Sequence, residues 1–129
     1  MTVQQITQGI KVSAASEYRG NFVKNNEVQY AYTYTIEIEN QSKDKVQLLS
    51  RFWEIRDSLN QTTIVKGKGV IGLQPTLLPG EKHKYSSGCL LTSTVGSMTG
   101  YYTLLNHDTQ EEFEVNIPVF QLFTEFTMN

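Results

Sequence analysis

One segment of the chain alternates without a break. Val28, Tyr30, Tyr32, Tyr34, Ile36 and Ile38 share one parity, and Gln29, Thr33, Thr35, Glu37 and Glu39 share the other. A period of two sustained over this length, in β-branched and aromatic residues, predicts an antiparallel strand buried on one face. A helix would scatter the tyrosines around its circumference. Tyr30, Tyr32, Tyr34, Ile36 and Ile38 are therefore expected inside, with Glu37 and Glu39 in solvent. Weaker alternation at Ile6, Ile10 and Val12 predicts a first strand over residues 1–13. The stretch 14–26 has no period and several turn formers, and reads as a long loop.

Beyond the polar turn at 40–45, residues 46–57 resume alternation, with Leu49, Arg51, Trp53 and Ile55 on one face. Trp53 is then the core anchor, and Phe52 faces outward with Ser50 and Glu54. Turn residues at 57–60 lead to a short returning strand at 62–65. Further strands are predicted at 82–87 and 100–106, the second closed by a turn at 106–109. The last runs from 112 to about 123, with Phe113, Val115, Ile117 and Val119 on one face. Pro118 cannot donate to a ladder, so this strand is expected at a sheet edge or bulged there. About seven strands without an amphipathic helix predict an all-β fold, a two-sheet antiparallel β-sandwich of the immunoglobulin or fibronectin type III kind. A lone cysteine, Cys89, removes the bridge of true immunoglobulin domains and favours the fibronectin-like version.

Composition adds bounds. The 129 residues suit one domain, 1–129, able to bury roughly two-thirds of its unfolded surface. One cysteine excludes an internal disulfide and suggests a reducing compartment. The start of the chain lacks a charged and apolar leader, and no apolar run approaches the ~18 residues of a membrane helix. A cytoplasmic protein without membrane contact is the expectation, which makes chance matches of the glycosylation sequons at Asn40 and Asn60. Net charge is −2, unevenly spread: residues 45–84 hold seven Lys/Arg against Glu54, Asp57 and Glu81, while five acids and no base follow residue 84. A segment at +4 is too modest for a nucleic-acid binder. It does leave room for a weak anion site.

Candidate chemistry concentrates in one region and mostly dissolves on inspection. Gly67-x-Gly69-x-x-Gly72 has the spacing of a dinucleotide loop, which requires a strand before it and a helix after it. Pro75 and Pro79 exclude that helix, and no acid stands ~20 residues on to hold a ribose. The glycines are expected to serve backbone conformation, and no cofactor is expected. Ser97 sits one position too early for a nucleophile elbow, and neither His83 nor His107 has an acid in a recognisable pattern. Cys89 reads as a small buried hydrophobe. His83 and Cys89 lack the further ligands of a tetrahedral metal set.

The ordered pieces from Gly67 to Tyr102 carry a resemblance. They are Gly67-x-Gly69-x-x-Gly72, Gln74-Pro75, Pro79-Gly80-Glu81, Tyr85-x-Ser87-Gly88-Cys89 and Gly96-x-Met98-x-Gly100-x-Tyr102. This succession resembles the bacterial ApaG family, whose domain also occurs in some F-box proteins and polymerase-delta-interacting proteins. The resemblance implies a fibronectin-like sandwich and a closing strand through Phe113, Val115, Ile117, Pro118, Phe120 and Leu122. It also implies an association with cobalt and magnesium handling, for which the sequence offers no ligand cluster. Phe52 stands where the family often has His, removing an ionisable group. Leu90 and Thr94 replace family prolines.

Two functions compete. The first is a non-enzymatic protein-interaction module whose long loops at 67–100, with Arg51 alongside, form the partner surface. Gln74, Lys68 and Ser86 are expected to point outward from a backbone fixed by packed apolar residues. The second is a binding protein or enzyme for a phosphate or pyrophosphate ligand, held by Lys66, Lys68 and the loop glycines Gly67, Gly69 and Gly72.

Overall fold

The alternating segment becomes an inner strand of a sandwich. The structure, a computed structural model, describes residues 1–58 and 62–124. Among them are nine strands and no helix: β1 (Thr2–Thr7), β2 (Ile10–Lys24), β3 (Glu27–Asn40), β4 (Val46–Asp57), β5 (Thr63–Lys68), β6 (Thr76–Leu77), β7 (Lys82–Leu91), β8 (Val95–Asn106) and β9 (Glu112–Phe123). They form two antiparallel sheets, ordered β1-β2-β3-β7 and β5-β4-β8-β9, with β6 pairing the start of β4. The two-sheet sandwich read from the alternation is the observed one.

The extra strands have simple origins. The segment 1–13 is not one strand but a hairpin, folded at Gln8 and Gly9 with φ of 49° and 80°. Left-handed residues at both turn positions match the twist of paired strands. Ile6 consequently lies exposed on an outer strand. The supposed loop at 14–26 is the larger correction. It is the second half of β2, paired with β3 as far as Lys24 opposite Glu27. Asn25 and Asn26, with φ of 51° and 63°, close the hairpin. A register shift between Tyr18 and Gly20 breaks the parity, and residues 21–28 are exposed on both faces. No burial period remained there to be read.

The core forms where the inner faces meet. Ile10, Val12 and Ala14 of β2 and Tyr32, Tyr34, Ile36 and Ile38 of β3 pack against Trp53 of β4, Tyr102 and Leu104 of β8, and Ile117, Phe120 and Leu122 of β9. Trp53 sits at the centre as expected, 2 % exposed, its ring edge-on to Tyr34 at 5.3 Å and to Phe120 at 5.9 Å. Truncating a side chain so placed typically costs about 3–5 kcal/mol. Tyr30, expected inside, is only half-buried. Glu37 and Glu39 lie on the outer face, each 3.9 Å from a lysine, Lys82 and Lys11 respectively.

Two bulges reset which residues point inward. In β4 the register shifts between Leu48 and Ser50, leaving Leu49 as an extra residue. Val46 and Leu48 face the core before it, and Trp53 after it. Leu49 therefore does not continue the face of Trp53. In β9 the pairing passes from Met98–Phe120 to Gly100–Ile117, so Pro118 and Val119 together oppose Thr99. The strand is also a sheet edge, so both expectations for Pro118 hold. Val119, expected inside, is 60 % exposed because the bulge reverses its direction.

One flank of the sandwich is closed. There β1 and β2 pack on β9, with Ser16 Oγ donating to the Gln121 carbonyl at 2.6 Å and the Asn116 amide to Thr7 Oγ1 at 3.3 Å. The opposite flank, between β5 and β7, carries a cleft.

Burial also fixes how the fold answers alkali. It raises the Tyr32 phenol from 10.0 to about 12 and the Cys89 thiol from 9.0 to about 11, and pushes the phenols of Tyr34, Tyr85 and Tyr102 upward. The unfolded chain therefore loses these protons first, so the stability they provide is complete below pH ~9 and is lost as pH rises through the folded values. Thermal melting should be flat from neutrality to about pH 9 and fall toward pH 12. Phenolate absorbance should show the buried tyrosines titrating only as the protein unfolds. A melting temperature unchanged up to pH 11 would contradict this reading.

Candidate functional site

The glycine stretch is anchored by the bulge in β4. The extra residue bulges on the β8 side, and on the β5 side Leu49 O accepts from the Gly69 amide at 2.8 Å, next in register after Ser50–Lys68, and from Gln74 Nε2 at 2.9 Å. The Leu48 amide donates to Pro75 O at 3.0 Å, so the loop's return is fixed as well. Between these anchors Val70 and Leu73 exchange both backbone hydrogen bonds, at 2.8 and 2.9 Å. The resulting miniature hairpin turns at Ile71 and Gly72, with φ of 47° and 74°. Gly69 has φ of 65°, and a β-carbon there would collide with the Leu73 carbonyl. Ile71 is the anomaly: a β-branched side chain in the left-handed region is strained by roughly 1–3 kcal/mol. It is also 60 % exposed.

Gly67 has a different task. It pairs with Arg51 across β4 and β5, and the guanidinium lies directly over it. A β-carbon on Gly67 would stand 2.6 Å from Arg51 Cζ. Laid flat in that space, Arg51 donates through Nη1 to the carbonyls of Lys68 at 3.1 Å and Gly69 at 2.9 Å. Among the described residues no carboxylate lies within 4.0 Å of it.

Arg51 forms part of the wall of the cleft at the open flank. The cleft has a volume of about 370 Å³ and a floor of Tyr34, Trp53 and Met98. Tyr85, Ser87 and Gly88 of β7 form one side, and Val65 and Lys68 of β5 the other, with Ile71 and Gly72 at the rim. A shallower continuation shares Ile55 and Gly88 and reaches Cys89, Leu90 and Thr92. Asp57 sits at that end, holding the turn before β8 by accepting from the Thr92 amide and hydroxyl, both at 2.7 Å, and from the Ser93 hydroxyl.

The electrostatics are one-sided. Tyr34 bonds to Ser87, and the Tyr85 and Tyr102 hydroxyls bond to each other. Phenols are neutral at physiological pH, and burial raises all three further. No anion forms inside the cleft to answer Arg51. The Trp53 indole nitrogen is buried and has no hydrogen-bond partner among the described residues.

The structure brings Arg51, Gly67, Lys68, Gly69, Gly72 and Gln74 together at this end of the cleft. Two other expected residues lie elsewhere. Lys66 is on the outer face of its sheet, 5.7 Å above the ring of Phe52, which in turn stacks on Tyr101 at 4.8 Å. Ser86 faces outward from the other sheet, bonded to Thr35 Oγ1 at 2.8 Å. Strand alternation separates both from the cleft. The expectation of a long irregular segment at 67–100 needs correction too, since β6, β7 and the first half of β8 occupy much of it. The irregular part is confined to residues 69–75, 78–81 and 92–94.

The same geometry weighs on the phosphate reading. The amides of Gly69, Val70 and Leu73 are all committed to internal carbonyls. The glycine spacing serves a hairpin, with no helix behind it. His83 lies beside Tyr85 with rings 6.2 Å apart, and His107 pairs with Gln47 Oε1 at 2.9 Å. Among the described residues, no three His, Cys, Asp or Glu side chains cluster as a metal ion would require. Among the described residues no helix is long and apolar enough to cross a membrane.

Residues 21–106 match the family model for DUF525, the ApaG domain. The chain belongs to that family. Bacterial relatives named Protein ApaG include one from Brucella anthropi, 44 % identical over 117 residues, covering 91 % of this chain and 89 % of its own. Another, from Methylobacterium sp., is 43 % identical and covers 90 % and 88 %. Among solved structures, a putative ApaA protein from Bordetella pertussis superposes with a TM-score of 0.80 at 35 % identity, covering 90 % of this chain and 94 % of that one. An X-ray structure of a structural-genomics target superposes at 0.86 with 32 % identity, covering 91 % and 88 %. The ApaG pattern of glycines thus coincides, in this chain, with one anchored hairpin and the arginine beneath it.

The loop geometry makes opposite predictions for neighbouring residues. Gly69→Ala combines a left-handed φ with a collision and should destabilise by more than about 1 kcal/mol. Gly72→Ala, with open space around it, should cost about 1 kcal/mol from conformation alone. Ile71→Asn should stabilise by about 0.5–1 kcal/mol, since asparagine tolerates the left-handed region. Urea unfolding of the three variants decides it. An Ile71→Asn protein less stable than the parent would refute the strained hairpin.

Proposed function

We propose that this ApaG-family chain is a non-enzymatic protein-interaction module that takes an extended segment of a partner along the open flank between β5 and β7. The observation that carries the reading is the pairing of two sheet edges around one cleft. An edge strand presents alternate N–H and C=O groups with no partner, and an extended peptide can complete them while its side chains enter neighbouring pockets. Here both sheets offer such an edge on the same flank. Apolar side chains stand exposed around it: Ile71, Leu73 and Leu90.

Charge narrows the partner. Lys68 lines the cleft at one edge strand; Lys66 on that strand and Lys82 and Lys84 on the other edge strand point to the outer faces, Lys82 3.9 Å from Glu37. Lysines on an edge oppose pairing between two copies of the same edge. They also favour an acidic segment over a basic one. Inside the cleft the hydroxyls bond to one another, and both histidines are outside its lining. No nucleophile there has a base beside it, which supports a binding role over a catalytic one. The connection to cobalt and magnesium handling implied by the family would then run through the partner.

The test is partner recovery with the immobilised protein, followed by carbodiimide coupling of lysines to partner carboxylates. Couplings should map to Lys68, and Lys68→Glu should abolish recovery. Lys68→Ala should leave stability within about ±0.5 kcal/mol while reducing recovery. Gln74→Ala, which removes a hydrogen bond to Leu49 O, should cost about 1 kcal/mol as well. Undiminished recovery with Lys68→Glu would move the surface elsewhere, such as the exposed edge around Val119.

A further inference from the structure

Arg51 is placed where an arginine gains little from the protein itself. It leaves β4 on the same face as Trp53, two residues away and so about 6–7 Å along the strand. Its Nη1 is used by two backbone carbonyls, and the flat guanidinium is held over Gly67. The opposite edge of the fork, Nε and Nη2, makes no protein hydrogen bond among the described residues. Among the described residues no acid pairs with it, and the phenols around it are neutral. Trp53, which also lines the cleft, has its indole N–H enclosed and without a partner among the described residues. Leaving a buried donor unpaired costs about 1–3 kcal/mol, and a native core rarely retains one for nothing.

We infer that Arg51 forms a receptor for a carboxylate, the side chain of a glutamate or aspartate in the partner segment. The fork of a guanidinium matches the two oxygens of a carboxylate. The pre-set orientation over Gly67 lowers the ordering cost of binding. Phosphate fits less well: it presents more oxygens, and the neighbouring loop amides of Gly69, Val70 and Leu73 are already committed. The apolar floor of Tyr34, Trp53 and Met98 suits the methylene stem of an acidic side chain. This deepens the interaction-module reading and rests on it for the source of the carboxylate.

The single tryptophan makes the test direct. Its indole N–H gives one resonance in a proton–nitrogen spectrum of the labelled protein. That resonance is followed while N-acetylglutamate N-methylamide, its glutamine counterpart and inorganic phosphate are added at matched ionic strength. The glutamate probe should shift the indole resonance saturably, as a reporter in the cleft lining, with a Kd of about millimolar for so small a ligand. The glutamine probe should bind at least about tenfold more weakly. Arg51→Lys should weaken the glutamate probe about fivefold or more, and Arg51→Met should abolish the shift. If Arg51→Met loses its folded spectrum, the Arg51 Nε resonance of the parent replaces it, which the glutamate probe should shift and the glutamine probe should leave in place. Equal shifts with both amino-acid probes, stronger binding of phosphate, or no shift at saturating concentration would each overturn the receptor. Its failure is distinct from that of the docking flank. Saturable glutamate binding with unchanged recovery by Lys68→Glu removes the flank and keeps the receptor, and the reverse pattern removes the receptor alone.

Discussion

A single extra residue in β4 organises the functional end of the molecule. Were β4 regular, the residues facing the core would keep one parity throughout. The insertion of Leu49 changes that. On the side toward β5 the Leu49 carbonyl is the common acceptor for the Gly69 amide and the Gln74 side chain, which pins the hairpin at residues 69–74. The parity change carries Trp53 into the core and brings Arg51 with it to the inner face. A bulge of this kind re-aims side chains and tends to sit beside functional sites. Here one bulge sets the loop, the arginine and the tryptophan in a fixed relation.

That dependence explains what the sequence disclosed and what it concealed. Strand β3 was legible because its neighbours on both sides leave its alternation undisturbed, so burial alone fixed the period. Strand β2 past Gly20 was not, because its structure comes from hydrogen bonding to β3 in a region with no buried face. Val119 and Leu49 were misdirected by bulges, which alter parity without any distinctive residue of their own. At the site, Arg51, Lys68, Gln74 and the three glycines were legible as a group because turn chemistry and charge mark them. Lys66 and Ser86 were included by proximity in sequence, which alternation along a strand defeats. Tyr34, Tyr85 and Ser87 were missed because each reads as an ordinary strand residue. An arginine sharing parity with a core tryptophan was the available clue.

The electrostatic arrangement has a cost that the fold does not recover internally. A half-buried guanidinium pays for desolvation whether or not a counterion answers it. The Tyr34, Tyr85 and Tyr102 cluster supplies hydroxyl dipoles and remains neutral at physiological pH. The strain at Ile71 and the unpartnered indole add to the same account. Three unfavourable features within one cleft fit a site whose stabilising partner arrives from outside.

The edge lysines sharpen this into a statement about selectivity. An open flank with two unpaired edges invites association with any exposed strand, including another copy of the chain. Lysines along both edges repel a second copy of the same flank and lower the affinity of basic or neutral segments. An acidic segment meets the opposite balance: it gains from the lysines at encounter and from Arg51 once seated. The same charges therefore act against one class of partner and for another, which is how specificity arises as a difference of affinities. Segment binding through backbone edges alone would be indiscriminate. The edge lysines and the arginine at the cleft's end restrict it, and the arginine's inward direction follows from the bulge at Leu49.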